Sequence, residues 1–348
     1  MVSQPYVPGA KSARFAIRPG VRLGVVVGLV ALAVVAAVRI QGDPPAALST
    51  FSTRFLSIFV DASPFLLLGS LASGLIEVFV SRTFLTRFVP RNPVLGAGAG
   101  TILGFVFPVC ECGVVPVTRR LYAKGLPISV GVAFLMASPV MNPIVLASTW
   151  IAFGPGPILI GRFVITAIVA CAIGLVFAFN ADARQLLQPA AMQPTDGGAA
   201  DADRPLGHGK SLKQRFHMAL GLATDDFFDM GRYLVIGSLL AAAMQTLVSQ
   251  DALTALGRGP IVSVLTMQLL AYVLSVCSTV DAFLALAFAG TFTTGSILTF
   301  LTFGPMVDVK STLMFMGVFK PRTVAYLVVL PLLMTMAIGI WLNLNVAF

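Results

Sequence analysis

The chain has 348 residues, of which 57% are hydrophobic and only 11% are charged, and its mean hydropathy is +0.93. Soluble domains carry about a quarter charged residues, so this composition excludes an ordinary soluble protein and predicts an integral membrane protein. The net charge of +9 does not indicate nucleic acid, because the lysines and arginines lie in short groups beside apolar runs. All four cysteines fall inside apolar stretches, which excludes a secreted disulfide framework.

The first apolar run, residues 21–40, is long enough to cross a membrane as a helix. It is longer than the apolar part of a usual signal peptide, and the Ala-Val-Arg near its end is a poor cleavage site. We therefore expect an uncleaved first transmembrane helix, preceded by a cytoplasmic N-terminus.

The rest of the chain contains one unit twice. Residues 59–82 align without a gap on residues 227–250, and the alignment continues with shifts of one or two residues. The aligned pairs include Asp61 with Asp229, Cys110 with Cys277, Pro139 with Pro305, and Asn142 with Asp308. The predicted organisation is an N-terminal segment with the first helix at 1–50, a first repeat at 51–178, a flexible polar linker at 179–218 and a second repeat at 219–348.

The return segment that follows Cys110, residues 111–124, is too short to cross a bilayer as a helix. If 93–124 is a re-entrant hairpin, each repeat crosses three times and the second repeat is inverted. If it is one full crossing, each repeat crosses four times and the repeats run parallel. The hairpin arrangement places most of the 23 lysines and arginines on the cytoplasmic side, with Arg162 among the few on the outer side. The predicted fold is therefore an all-α polytopic membrane protein with an N-terminal helix and two inverted repeats, each with a re-entrant hairpin and a Pro-broken helix.

Inverted repeats with discontinuous helices are typical of secondary transporters, whose sites lie near the membrane midplane. The motifs ASPVMNPIV (137–145) and FGPMVDVK (303–310) predict such interruptions at equivalent positions. Proline removes a backbone donor and frees a carbonyl group, which must find a partner in the membrane. The expected helix breaks are Pro139, Pro143, Gly304 and Pro305.

The motif Cys-Glu-Cys at 110–112 is expected at the tip of the first hairpin, and Cys-Ser-Thr at 277–279 at the tip of the second. The two tips should reach the membrane interior from opposite sides and meet. Thiols suit soft, thiophilic species. The predicted substrate-binding residues are Cys110, Glu111, Cys112, Ser138, Met141, Asn142, Cys277, Ser278 and Thr279.

Carboxylates in apolar segments are costly enough to suggest function. The candidates for ion coupling or a charge pair are Asp61, Asp229, Asp281, Asp308 and Lys310. For the first two, a structural hydrogen bond between the repeats is an equal alternative. For Lys310, one alternative is a pair with Asp308; the other is a side chain that extends to the cytoplasmic surface while Asp308 caps a half-helix.

The same cysteines allow an alternative, an integral membrane thiol-redox or metal-binding protein that uses Cys110 and Cys112. A structural zinc site usually needs four ligands, and no histidine lies near this motif. A Cys-x-x-Cys motif typical of thiol oxidoreductases is also absent from the sequence. We therefore expect a transporter and not an enzyme, without a metal or a cofactor.

The stretch FPVCECGVVPVTRRLYAKGLP (107–127), followed by FLMASPVMNP (134–143), resembles the predicted-permease family that includes YraQ-type permeases and the organoarsenical efflux permease ArsP. The resemblance covers nearly the whole chain from about residue 51. It implies a multi-pass permease of the inner (plasma) membrane, with Cys110, Cys112 and residues 139–143 as the family-like positions. The substrate could be an arsenical or a sulfur-containing metabolite.

The function predicted from the sequence is the movement of a small thiophilic solute by alternating access around a midplane site with a Cys-Glu-Cys tip. The expected partners are this small-molecule substrate and membrane lipid, with no nucleic acid, and a homo-oligomer is left open. The chain has no nucleotide-binding P-loop, so the energy source would be an ion gradient or a separate subunit.

Overall fold

The computed structural model describes residues 44–81, 85, 87, 89–90, 92–180, 187–188, 211–247 and 259–346. The expected first helix at 21–40, the cytoplasmic N-terminus and most of the linker lie outside the described residues.

The described residues form six helices in each repeat. The first repeat contains α1 (Pro44–Phe79), α2 (Pro93–Val106), α3 (Glu111–Ala123), α4 (Ile128–Met141), α5 (Pro143–Phe153) and α6 (Pro157–Asn180). The second contains α7 (Leu212–Leu247), α8 (Val262–Leu274), α9 (Asp281–Phe288), α10 (Thr294–Met306), α11 (Val309–Val318) and α12 (Pro321–Asn345). Five helical segments are long and apolar enough to cross a membrane: Leu48–Phe79, Ile128–Phe153, Pro157–Phe179, Leu212–Thr246 and Pro321–Asn345. The expectation of an all-α polytopic membrane protein is confirmed.

The long first helices of the two repeats, α1 and α7, pack side by side and run antiparallel. Near the start of α1, Arg54 donates a hydrogen bond to the carbonyl oxygen of Gln245, near the end of α7. Further along α1, Ser73 donates to Asp226 in the first half of α7, at 2.6 Å. Because α1 and α7 are equivalent helices in the sequence alignment, their opposite directions indicate that the second repeat is inverted.

The first hairpin, α2 and α3, enters and leaves the protein at the same end of α4. Near the start of α2, a Cβ atom added to Gly96 would meet the side chain of Ser129, near the start of α4. Near the end of α3, Tyr122 donates to the carbonyl oxygen of Ile128 at 3.3 Å. With 14 and 13 residues, the two helices are each about 20 Å long, shorter than the hydrocarbon core of about 30 Å. This geometry is that of a re-entrant hairpin.

The second hairpin repeats this arrangement with α8 and α9. The hydroxyl of Ser263, at the start of α8, lies 2.9 Å from that of Thr293, immediately before α10. Near the ends of the same two helices, Gly304 faces Ala271. Helix α8 therefore runs parallel to α10, just as α2 runs parallel to α4. The return helix α9 has only eight residues.

The interrupted spans break at Asn142, between α4 and α5, and at Val307 and Asp308, between α10 and α11. Both polar residues cap the helix that follows. The side-chain oxygen of Asn142 accepts hydrogen bonds from two backbone N–H groups at the start of α5, at 3.1 and 3.0 Å. Asp308 forms a reciprocal capping box with Ser311.

The expected break positions are corrected by these bounds. Pro139, Gly304 and Pro305 lie inside α4 and α10, and only Pro143 lies at a break, at the first position of α5. A proline has no backbone N–H group, so the carbonyl group four residues earlier loses its helical hydrogen bond. A membrane helix can nevertheless continue past the proline. The helix ends a few residues later, where a capping side chain accepts hydrogen bonds from the free backbone N–H groups of the next helix.

Part of the expected linker is ordered against the second repeat. Helix α7 begins at Leu212, so residues 212–218 are helical. Leu187 is buried and forms an isolated antiparallel bridge with Phe319, and the backbone N–H of Gln188 donates to Val318 at 2.9 Å. This piece of chain therefore packs against the end of α11.

Candidate functional site

The two hairpin tips meet between the repeats. Cys110 lies close enough to Cys112 and Cys277 for the three thiols to interact electrostatically. All three cysteines are buried and free of disulfide bonds. Because Cys110 and Cys277 are equivalent in the two repeats, the structure brings the same position of both copies to one place.

Each tip also contacts the helix break of its own repeat. Ser138, four residues before the first break, donates to the carbonyl oxygen of Val109 at 3.2 Å. At the second break, the backbone N–H of Val309 donates to the hydroxyl of Ser275 at 3.2 Å. The thiols and both broken helices therefore belong to one site.

A buried cluster of three charged groups lies beside the thiols. The ammonium of Lys310 is 3.5 Å from a carboxylate oxygen of Glu111 and 3.5 Å from one of Asp308. Glu111 begins α3 in the first repeat, whereas Lys310 lies in α11 of the second, so this ion pair joins the repeats. Lys310 is 1% exposed, which rules out a side chain that extends to the surface. Asp308 has both roles. One of its oxygens pairs with Lys310, and the other caps α11 by accepting the N–H of Ser311 at 2.6 Å.

Several polar atoms in this cluster have no hydrogen-bond partner within the protein. They are both carboxylate oxygens of Glu111 and the Oδ2 atom of Asp308; at the tip of the second hairpin, the hydroxyl of Ser278 also has no partner. At 3.5 Å the contacts of Lys310 are ion pairs and exceed usual hydrogen-bond length. Buried polar groups are normally hydrogen-bonded, so a concentration of unpartnered ones marks this place as a candidate binding site.

A second buried ion pair lies near the other tip. Asp281, the first residue of α9, accepts two hydrogen bonds from Arg162 of α6, at 3.1 and 2.6 Å. Arg162 also donates to Thr149 of α5 at 2.8 Å. Its side chain is fully buried, so it is paired inside the protein and does not contact solvent. In the sequence, a lone arginine near a helix start resembles an interfacial residue, because its acidic partner is far along the chain.

The remaining predicted residues take different places. Asp229 of α7 accepts hydrogen bonds from Arg119 at 2.9 Å and from Arg232 at 2.5 Å, so it joins α3 to α7. Asp61, its counterpart, is exposed on α1. Thr279 donates to the sulfur of Cys277 at 3.6 Å, Met141 is half-buried at the end of α4, and the side chain of Asn142 is occupied in capping and in a bond to Ser138.

The far end of α3 is held by residues that were not predicted as site residues from the sequence. Arg120 donates two hydrogen bonds to Asp226, at 3.1 and 2.9 Å, and Ser73 donates to the same carboxylate. Lys124 donates to three carbonyl groups at the end of α1, those of Ile76, Glu77 and Val80. Together these bonds attach the return leg of the hairpin to α1 and α7.

Among the residues that the structure describes, no group of three or more His, Cys, Asp and Glu side chains could hold a metal ion.

Comparisons with known proteins agree with the membrane architecture. Residues 47–344 match the family described as "Predicted permease". The chain is 43% identical over 279 residues to the UPF0718 protein YcgR of Bacillus subtilis (strain 168), covering 79% of this chain and 90% of the relative. It is 38% identical over 273 residues to a Streptococcus mutans serotype c protein that is named as a subunit of a two-component membrane permease complex, covering 77% of this chain and 86% of the relative. No solved structure matches the chain.

The family match spans both repeats and includes both hairpins, both helix breaks and the paired thiols. The chain covers 90% and 86% of the two relatives, so the likeness extends over nearly their whole lengths. The resemblance expected from the Cys-x-Cys motif is therefore confirmed: the chain belongs to the predicted permease family and is a multi-pass membrane permease.

Proposed function

We propose that this permease moves a small thiophilic solute, containing arsenic or sulfur, by alternating access, with Cys110, Cys112 and Cys277 as its ligands. The observation that carries this proposal is the proximity of Cys110 and Cys277, thiols from opposite repeats, in a buried place beside both helix breaks. Thiol sulfur is a soft donor and selects soft partners over hard cations.

A pair of thiols suits the chemistry of a trivalent organoarsenical. In its hydrated form the arsenic carries two hydroxyl groups. Two thiols can replace them, so that two As–S bonds form, two As–O bonds break and two waters leave with the thiol protons. No electrons are transferred, and water reverses the exchange. A solute held this way is released when the two thiols move apart.

Alternating access follows from where the ligands come from. Cys110 belongs to the first repeat and Cys277 to the second, so a rotation of one repeat against the other separates the two thiols. In transporters with inverted repeats, such rocking opens the central site to one side at a time. The interruptions at Asn142 and Asp308 lie next to the tips, where the short helices could move.

The test is uptake of phenylarsine oxide into proteoliposomes that contain the purified protein. The variants Cys110→Ser, Cys112→Ser and Cys277→Ser should each lose most of the uptake, because serine keeps the size but lacks the soft sulfur. Cys171→Ser is the matched control, since Cys171 lies on α6 with its sulfur 3.1 Å from the hydroxyl of Thr101, away from the tips. Uptake by all three site variants at the level of the control would contradict the proposal.

A thiol-redox function is the second candidate, and the same proximity of Cys110 and Cys277 favours it. If Cys110 and Cys277 form a disulfide, two protons and two electrons must leave, and a membrane quinone could accept them. Purified protein in detergent would then oxidise dithiothreitol with a soluble quinone as acceptor and without any ion gradient. Such turnover, absent in Cys277→Ser, would favour the redox function over transport.

We further propose that a second membrane component can act with this permease, since the Streptococcus mutans relative is named as a subunit of a two-component complex. The same proteoliposomes test this point. If the chain alone shows the full pattern of uptake and cysteine dependence, it needs no second component.

A further inference from the structure

The buried charges of the protein do not balance. The described part of the chain buries four acidic and three basic side chains: Glu111, Asp226, Asp281, Asp308, Arg120, Arg162 and Lys310. Each of the two arginines forms two hydrogen bonds with one aspartate, so these pairs are neutral. The remaining group at the tip consists of two carboxylates that share one ammonium.

This group would carry one uncompensated negative charge if both carboxylates were ionised. Burial of an unpaired charge costs several kcal/mol in real proteins, and a buried group usually neutralises instead. Glu111 and Asp308 are 2% and 1% exposed, so bulk water does not offset this cost. One more positive charge must therefore accompany the group, either a proton or a bound cation.

The surroundings of Glu111 favour a proton. The titratable and charged groups that face it are the thiols of Cys110, Cys112 and Cys277 and the side chains of Asp308 and Lys310. Hard cations require several oxygen ligands, whereas these neighbours are mainly sulfur, and the ammonium would repel a second cation. A proton needs only one carboxylate oxygen.

Of the two carboxylates, Glu111 is the better site for this proton. Asp308 accepts the N–H of Ser311 at 2.6 Å at the start of α11, and such a bond stabilises the ionised form. Neither oxygen of Glu111 accepts a hydrogen bond, although Glu111 begins α3. We propose that Glu111 binds one proton that balances the Glu111–Lys310–Asp308 group, and that the permease exchanges this proton when its solute moves. The second half of this proposal rests on the proposed transport function; the first half does not.

The coupling follows from the position of Glu111. Its ion pair with Lys310 crosses from the first repeat to the second, beside the thiols that would bind the solute. A motion that separates the tips therefore also separates Glu111 from Lys310 and admits water. In that state Glu111 can lose its proton to the side that is open.

The chain allows a direct test, because it contains only two glutamates, Glu77 and Glu111. Protein made with glutamate that carries ¹³C at the side-chain carboxyl gives two NMR signals, whose shifts report protonation. In detergent or nanodiscs at neutral pH, we expect one protonated and one ionised carboxyl. The protonated signal should disappear in Glu111→Gln and remain in the control Glu77→Gln. A fully ionised Glu111 at neutral pH in the Glu77→Gln protein would overturn the proposal.

Asp308→Asn tests the balance of charge. Asparagine is also a good N-cap, so α11 keeps its capping group. Glu111 and Lys310 then form a neutral pair, and the Glu111 signal should shift to the ionised position at neutral pH. A Glu111 that stays protonated in Asp308→Asn would show that burial alone holds the proton and would overturn the role of the group.

Proteoliposomes with an imposed pH gradient test the coupling. With phenylarsine oxide as the probe, the gradient should drive accumulation by the native protein and by Glu77→Gln. In Glu111→Gln, accumulation of the probe should no longer respond to the gradient. Native transport that ignores the gradient would overturn the coupling. If the native protein moves no phenylarsine oxide, the proposed substrate fails, while the NMR result still decides where the proton is bound.

Discussion

The individual side chains that matter most in this protein are charged groups that the fold has buried in matched sets. Arg120 with Asp226 joins α3 to α7, and Arg162 with Asp281 joins α6 to α9. Of these four side chains, only Asp281 was predicted from the sequence as a site residue. Which acid meets which base depends on how the helices are rotated about their axes, and the spacing along the chain does not contain that information.

We expect Asp226→Asn to lower the free energy of unfolding by about 3–5 kcal/mol, because it leaves Arg120 buried without its counter-charge. Asp225→Asn is the control, since Asp225 is the adjacent residue of α7 but is exposed, and exposed changes usually stay within about 0.5 kcal/mol. Unfolding in detergent, followed by circular dichroism, measures both. Equal stability of the two variants would show that the Arg120 pair contributes little.

Variants of the Arg162–Asp281 pair can distinguish a structural role of these residues from a role in transport. Arg162→Met alone should reduce the yield of folded protein, because Asp281 would be left as a buried unpaired charge. The double variant Arg162→Met, Asp281→Leu should recover much of that yield, since a buried ion pair can often be replaced by apolar residues. Folded double variant that also transports would assign the pair to structure. A folded double variant without transport would show that Asp281 takes part in the activity.

At the scale of helices, two glycines let the core elements approach closely. A Cβ atom at Gly69 of α1 would lie 2.2 Å from the Cα of Gly113 in α3, which no real contact permits. At the equivalent position of α7, a Cβ at Gly237 would lie 2.9 Å from the Cα of Lys310. These contacts set the distance of the first hairpin and of the second broken helix from the two long helices.

Gly69→Ala should therefore destabilise the protein, because α1 and α3 must move apart. Gly98→Ala in α2 is the control, since nothing lies within 4 Å of its added Cβ. Alanine there should be neutral or stabilising by up to about 1 kcal/mol, the difference in helix propensity. Thermal unfolding in detergent gives the sign of each change. A stabilised Gly69→Ala protein would contradict the close packing of α1 on α3.

The sequence predicted these elements unevenly. The short return after Cys112 was enough to predict a hairpin, because helix length per residue is fixed. The internal repeat then placed a second tip at Cys277. The exact ends of the half-helices could not be predicted from Pro139 and Pro305, because a membrane helix can continue past a proline. The capping residues Asn142 and Asp308 mark the breaks better.

For the whole molecule, the inverted arrangement makes a prediction about sidedness. The return helices of the two hairpins end at Ala123 and next to Ala289, and both positions are exposed. In a Cys171→Ser background, cysteines introduced at these positions should react with an impermeant maleimide from opposite sides of the membrane. Intact cells and inside-out vesicles provide the two sides. Labelling of both positions from the same side would mean that the repeats run parallel.

The proximity of Cys110 and Cys277 has a geometrical consequence for the proposed transport cycle. Two equivalent residues that lie close together lie beside the pseudo-two-fold axis that relates the repeats. If the repeats exchange conformations during the cycle, this point maps onto itself, so the thiols stay at the same depth while access changes. The charged group lies off the axis: the exchange maps Glu111 onto Ser278 and Lys310 onto Ile144, both uncharged. In such a cycle the inward-open and outward-open states would be electrostatically unlike, and the protein would have an energetic preference for one resting orientation.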